Sequence, residues 1–161
     1  MSGRRNPVPI VFGLVVIVLG IWLLASGGDD DSGPVVAAPS WSDRANGFCR
    51  DGTEEATALI PPSTPHQISA DAVDRIEILA RVRDGIYTLG SPEDGDQALA
   101  AAYLEQLDAD LDTLGAVAEA ARTGGDYQVA AADLDESAGE TADRLGLTDC
   151  AALAQAIART P

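Results

Sequence analysis

Between residues 100 and 121 the apolar side chains alternate at steps of four and three: Ala100, Leu104, Leu107, Leu111, Leu114, Ala118 and Ala121. At 3.6 residues per turn such spacing keeps one face of an α-helix apolar for about six turns. A strand would scatter the same residues over both faces of a sheet. A helix of this length with an apolar seam must bury that seam against other helices. An all-α chain is the expectation that follows.

The flanking segments repeat the pattern. Trp41, Ala45, Phe48, Gly52, Ala56 and Leu59 recur every three or four residues, with Ser42 as the expected N-cap and "IPP" at 60–62 as the stop. After a Pro-rich loop, Ser69 is expected to cap a second helix with Val73, Ile76, Leu79 and Ile86 on one face. Asp71/Arg75 and Glu77/Arg81 read there as i,i+4 pairs on the outer surface, and Gly85 as an early end or a kink. "GSPEDGD" reads as a turn whose Ser91, Pro92, Glu93, Asp94 and Asp96 start the third helix. "TGGD" at 123–126 ends it, with Asp126 as the next cap. A fourth helix follows through Tyr127, Ala131, Leu134, Ala138, Thr141 and Leu145. Gly146 is the expected stop, and a last short helix carries Cys150, Leu153, Ala154 and Ile157 on one face. Four helices joined by short turns predict an up-down-up-down bundle with a short C-terminal helix.

Ahead of the bundle lies "PVPIVFGLVVIVLGIWLLA", Pro7 to Ala25, 19 residues without a charge. At ~1.5 Å rise per residue it just crosses a hydrocarbon core of ~30 Å. Arg4 and Arg5 precede it and "GGDDD" follows it, which predicts an inside N-terminus and an outside remainder. The expected organisation is a cytoplasmic stub at 1–6, a transmembrane anchor at 7–25, a flexible Gly/Ser/Pro/Asp linker at 26–40 and an extracytoplasmic bundle at 41–161. The alternative for 7–25 is a cleaved signal peptide with Ala25 and Gly27 at the processing site. No cysteine directly follows the apolar run, which argues against a lipoprotein, and "NPVP" after the paired arginines does not resemble the twin-arginine export signal.

Charge reinforces the division. All ten basic residues are Arg, and all 26 acids lie at or after Asp29. Eight arginines against those 26 acids give −18 from there onward. Such a surface repels a phosphate backbone and disfavours nucleic acid as a partner. The absence of Lys and the abundance of Ala, Asp and Gly suit a high-GC bacterial genome, and hence a bacterial plasma membrane.

Cys49 and Cys150 are the only cysteines, so a disulfide has one possible connectivity. Outside the cytoplasm paired thiols persist as disulfides. In an up-down-up-down bundle the start of the first helix and the end of the fourth share one end, so the topology predicts this same pair.

Candidates for chemistry are few. "DADLDTLGAVAE" places Asp108, Asp110, Asp112 and Glu119 at positions 1, 3, 5 and 12 of an EF-hand-like loop. Position 6, which needs Gly, is Thr113, and Leu111 and Leu114 belong to the apolar seam. These acids are therefore expected on a solvated helical face, with no metal bound. His66, the only histidine, lies in the Pro-rich loop, so a His-paired metal site is excluded and a Ser–His–Asp array has one residue to draw on. No Lys is present for a Schiff base or a P-loop. The sequence predicts no cofactor and no catalytic residue. The expected function is a tethered module that binds a protein or cell-envelope component. The alternative is a cation or small-ligand binder acting through the acidic surface.

Overall fold

Residues 38–159, apart from 94, 133, 135 and 136, are described by the computed structural model. The chain divides into the units Met1–Ala37 and Ala38–Pro161. The expected anchor at 7–25 and most of the linker lie outside the described residues. Among the described residues no helix is long and apolar enough to cross a membrane.

Every regular element among the described residues is helical: α1 (Trp41–Ala58), α2 (Pro65–Thr88), α3 (Gln97–Thr123), α4 (Tyr127–Ala131), α5 (Ser137–Arg144) and α6 (Thr148–Ala158). α1 packs on α2 and α6, α2 on α3, α3 on α4 and α5, and α5 on α6. The contacts therefore close a ring, and the helices form a bundle around one main core.

The helix starts follow local chemistry more closely than the expected caps did. α1 is capped by Ser40, not Ser42: Ser40 Oγ accepts from Asp43 N at 3.1 Å, and Asp43 Oδ2 accepts from Ser40 N at 2.9 Å. A capping box needs an acid or amide three residues on. Ser40 has Asp43 there, whereas Ser42 has the buried Ala45. The Ser40 hydrogen bonds hold the Asp43 carboxyl below the usual carboxylate range. α2 starts at Thr64–Pro65, not at Ser69, because the proline ring pre-sets the first helical turn. Ser69 instead donates to Ala118 O of α3 at 3.0 Å. α3 starts at Gln97, five residues after Pro92, so Ser91, Pro92, Glu93 and Asp96 precede it, and Asp94 lies outside the described residues.

The buried stripe of α3 is rotated from the expected seam. Ala100, Leu107, Leu114 and Ala121 are buried as expected, but their partners are Tyr103, Asp110 and Val117, while Leu104, Leu111 and Ala118 are half-buried. Both columns flank the same central row. α3 packs on α2 and also on α4 and α5, so three columns touch neighbours and the deeper flank is set by those helices. In α2, likewise, Val73 is 45% exposed and Ile76 half-buried, and Ile68, Ala72, Ile78 and Val82 join Leu79 and Ile86 in the interior.

Neither expected surface pair on α2 is a surface i,i+4 bridge. Arg75 and Asp71 are both buried, with Nε to Oδ2 at 2.6 Å. Arg75 Nη1 also donates to Ala156 O at 2.6 Å, satisfying a carbonyl in the last turn of α6 that has no partner within its own helix. Arg81 reaches across to Glu55 of α1 at 2.6 Å instead of to Glu77. Gly85 neither ends nor kinks α2, which runs on to Thr88. A Cβ there would lie 2.8 Å from the Phe48 ring, so glycine is what lets α1 and α2 approach.

The fourth helix is not continuous. α4 lasts one turn after Asp126, whose Oδ1 accepts from Gln128 N and Val129 N at 3.1 and 3.2 Å. α5 resumes at Ser137. Ala132 caps the end of α4, and Leu134, between the two helices, is not helical. Gly146 ends α5 as expected, at φ +70°, with Leu147 N donating to Ala142 O at 2.8 Å. The chain then turns into α6, which buries Cys150, Leu153, Ala156 and Ile157 in the main core. The C-terminal helix is thus part of the ring, not an appendage.

Candidate functional site

The disulfide joins the first helix to the last. Cys49 and Cys150 are bonded, with Cα atoms 4.8 Å apart and neither residue exposed. One stripe of α1 grips the start of α6 around it. Asn46 Nδ2 donates to Gly146 O at 3.3 Å, and Asn46 Oδ1 accepts from Asp149 N at 3.0 Å. Arg50 pairs with Asp149 at 2.9 Å. Asn46 therefore supplies the side-chain acceptor that Leu147, at the cap position of α6, lacks. This arrangement is structural: every polar group in it serves the helix junction.

The EF-hand-like acids lie on α3, and the helix separates them. Arg83 Nε and Nη2 bind Asp108 at 2.9 and 3.1 Å. Glu119 is held by Arg122 at 2.7 and 2.9 Å, and that hydrogen bonding lowers the Glu119 pKa. Asp112 faces solvent. Asp110 departs from the expected solvated face: it is buried, and its charge adds to burial in pushing the Tyr103 phenol well above the ordinary tyrosine range. Among the described residues no group of three or more His, Cys, Asp or Glu is placed to hold a metal ion. His66, expected in the Pro-rich loop, is instead exposed in the first turn of α2.

Three surface recesses among the described residues bear on function. One, of 550 Å³, lies at the start of α1 beside Trp41, Arg44, Glu93 and Asp96. Another, of 470 Å³, runs between α5 and α6 over Gly139, Ala151 and Ala154, with Glu140, Asp143 and Arg159 at its edges. The third, of 400 Å³, is built by the α1–α2 connection, between Ala58, Ile60, Pro62, Ala70 and Asp74.

The third recess has a feature that periodicity did not single out. Ile60 is 87% exposed, the most of the large hydrophobics among the described residues. α1 ends at Ala58 with Leu59 already extended, and Ile60, which precedes Pro61, is kept out of the helical region by the proline ring. The connection is fixed on both flanks. Leu59 packs on the main core. Gln67 Oε1 accepts from Ser63 N at 3.0 Å and from Ser63 Oγ at 2.8 Å. The sequence carried the signal as "LIPPST", an apolar residue in front of paired prolines, but helical spacing counts it only as a stop. Comparison with protein-family models, with characterised proteins and with solved structures finds no match to this chain.

Proposed function

We propose that this chain is a membrane-tethered, extracytoplasmic helical module that binds a protein or cell-envelope component. In this reading residues 7–25 anchor the chain, 26–40 link it, and the long helices of 41–161 run up and down in succession. One observation carries the extracytoplasmic placement: the two cysteines of the sequence, 101 residues apart, meet in the interior as a disulfide. Such a bond is kept in oxidising compartments and is rare where thiols are maintained reduced. The uncharged run of 19 residues ahead of the bundle supplies the tether.

The test is an intact mass of the protein recovered from the membrane fraction, before and after reduction. A full-length mass that gains two hydrogens on reduction supports the anchored, oxidised module. A mass beginning near residue 28 replaces the anchor with a released protein. Two free thiols in the untreated sample remove the extracytoplasmic placement.

A further inference from the structure

We infer that the recess under the α1–α2 connection is a docking cleft for a protein partner that presents a cationic side chain beside an apolar one. This rests on the module reading above and names the surface and the kind of partner. A single exposed apolar residue is ordinary on a protein surface and says little by itself. Ile60 differs because it is held. The rings of Pro61 and Pro62 fix their own φ angles, and Leu59 and Gln67 pin the ends of the connection. An apolar side chain on a stiff support loses little conformational freedom when covered, so its burial goes into affinity.

The rim decides the partner's charge. Asp74 lines the cleft, is exposed, and forms no ion pair among the described residues. Asp71, beneath it, is already committed to Arg75. Among the described residues the charged side chains lining the cleft are these two carboxylates, and no guanidinium lines it. From Trp41 to the end of the chain, eight arginines face 23 acids, a balance of −15. That field draws cationic surfaces in and turns anionic ones away. An Arg or Lys whose stem lies along Ala58 and Ala70 and whose head meets Asp74 fills the cleft, with an apolar neighbour on Ile60.

A photo-crosslinking residue at Ala58, which lines the cleft and is exposed, tests this in cells making the full chain. Tyr87 and Val129, exposed by 65% and 68%, serve as comparison positions elsewhere on the surface. The expected result is an adduct from position 58 with a protein of net positive charge. Its yield falls about tenfold on Ile60→Ser, the size of effect an interface anchor carries, and severalfold on Asp74→Asn. Both side chains are exposed, and an unchanged melting temperature of each full-length variant separates lost docking from lost folding. An adduct indifferent to both substitutions overturns the inference. So does one with an acidic protein or with a second copy of this chain. Adducts only from 87 or 129 overturn the cleft and leave the binding module standing. No adduct from any position overturns both.

Discussion

Arg75 Nη1 donates to the carbonyl of Ala156 at 2.6 Å while Arg75 Nε holds Asp71 at 2.6 Å, so one buried guanidinium ties the second helix to the end of the last. Removing one partner of a buried pair costs about 3–5 kcal/mol, because the other charge is left uncompensated in the interior. Arg75→Met is expected to destabilise the protein by that amount in urea unfolding. The double substitution Asp71→Leu/Arg75→Met is expected to recover part of it by removing the stranded carboxylate. What remains lost measures the α6 carbonyls left without a donor. A double variant no better than the single one would show that the cost was not the stranded charge.

Closing a loop of about 100 residues in the unfolded chain contributes about 4–5 kcal/mol in the chain-entropy account. Cys150→Ser should therefore lower the melting temperature by far more than Arg50→Ala. The Arg50–Asp149 bridge lies at the surface beside the disulfide, where solvent screening leaves an ion pair little to contribute. Calorimetry of the two variants ranks them, and similar shifts would refute the role assigned to the disulfide.

Two glycines on the α1–α2 face should respond differently to a methyl group. A Cβ at Gly52 would meet Val82 Cγ2 at 2.7 Å, and Val82 is both buried and stiff at χ1. Gly52→Ala is expected to cost about 1–3 kcal/mol as overpacking. At Gly85 the obstacle is the Phe48 ring, which is 37% exposed and so less confined than the buried Val82. Alanine is favoured over glycine in a helix interior by about 1 kcal/mol, which offsets part of that displacement. Gly85→Ala should come out milder than Gly52→Ala in denaturant midpoints, and the reverse order would contradict the packing described here.

Burial, with the Asp110 charge second, raises the Tyr103 phenol pKa in the folded protein. The neutral form is thus the one the fold favours. Its stabilising contribution is complete below the unfolded-state value of about 10 and declines as the pH rises above it. Alkaline unfolding should therefore begin above about pH 10. Tyr103→Phe should weaken the pH dependence in that range. Circular dichroism followed against pH in both proteins tests this, and superimposable alkaline limbs would refute it.

The helices were legible because their signals are local. The spacing in 100–121, Gly146 as a stop, Asp126 as a cap and "IPP" as a breaker each act through a few neighbouring residues. The disulfide was legible because two cysteines allow one pairing. What the sequence concealed was depth. Asp71 and Arg75 have surface chemistry and surface spacing, and only the unsatisfied end of α6, about 80 residues later, gives them a reason to be inside. Asp110 in place of Leu111, and Tyr103 in place of Leu104, were hidden for the same reason: which flank of a helix is deeper depends on its neighbours, not on its own pattern. Of the candidate acids, Asp108 and Glu119 are engaged by Arg83 and Arg122. The bond to Arg83 crosses from α2 and has no local signature, whereas Arg122 stands three residues from Glu119.

Because α6 closes the ring against α1, this bundle has a long-range dependence that its short connections conceal. A chain made from its N-terminus presents Cys49 about a hundred residues before Cys150 exists. Until then Ala45 and Cys49 lack the α6 neighbour that covers them in the folded chain, and non-local pairing of this kind slows the last stage of folding. The Cys49 thiol is open throughout that interval to whatever oxidant or stray thiol the compartment offers. Correct assembly is then a race between synthesis of the final helix and side reactions of the first cysteine, and shortening the chain before Leu147 would leave that race without a finish.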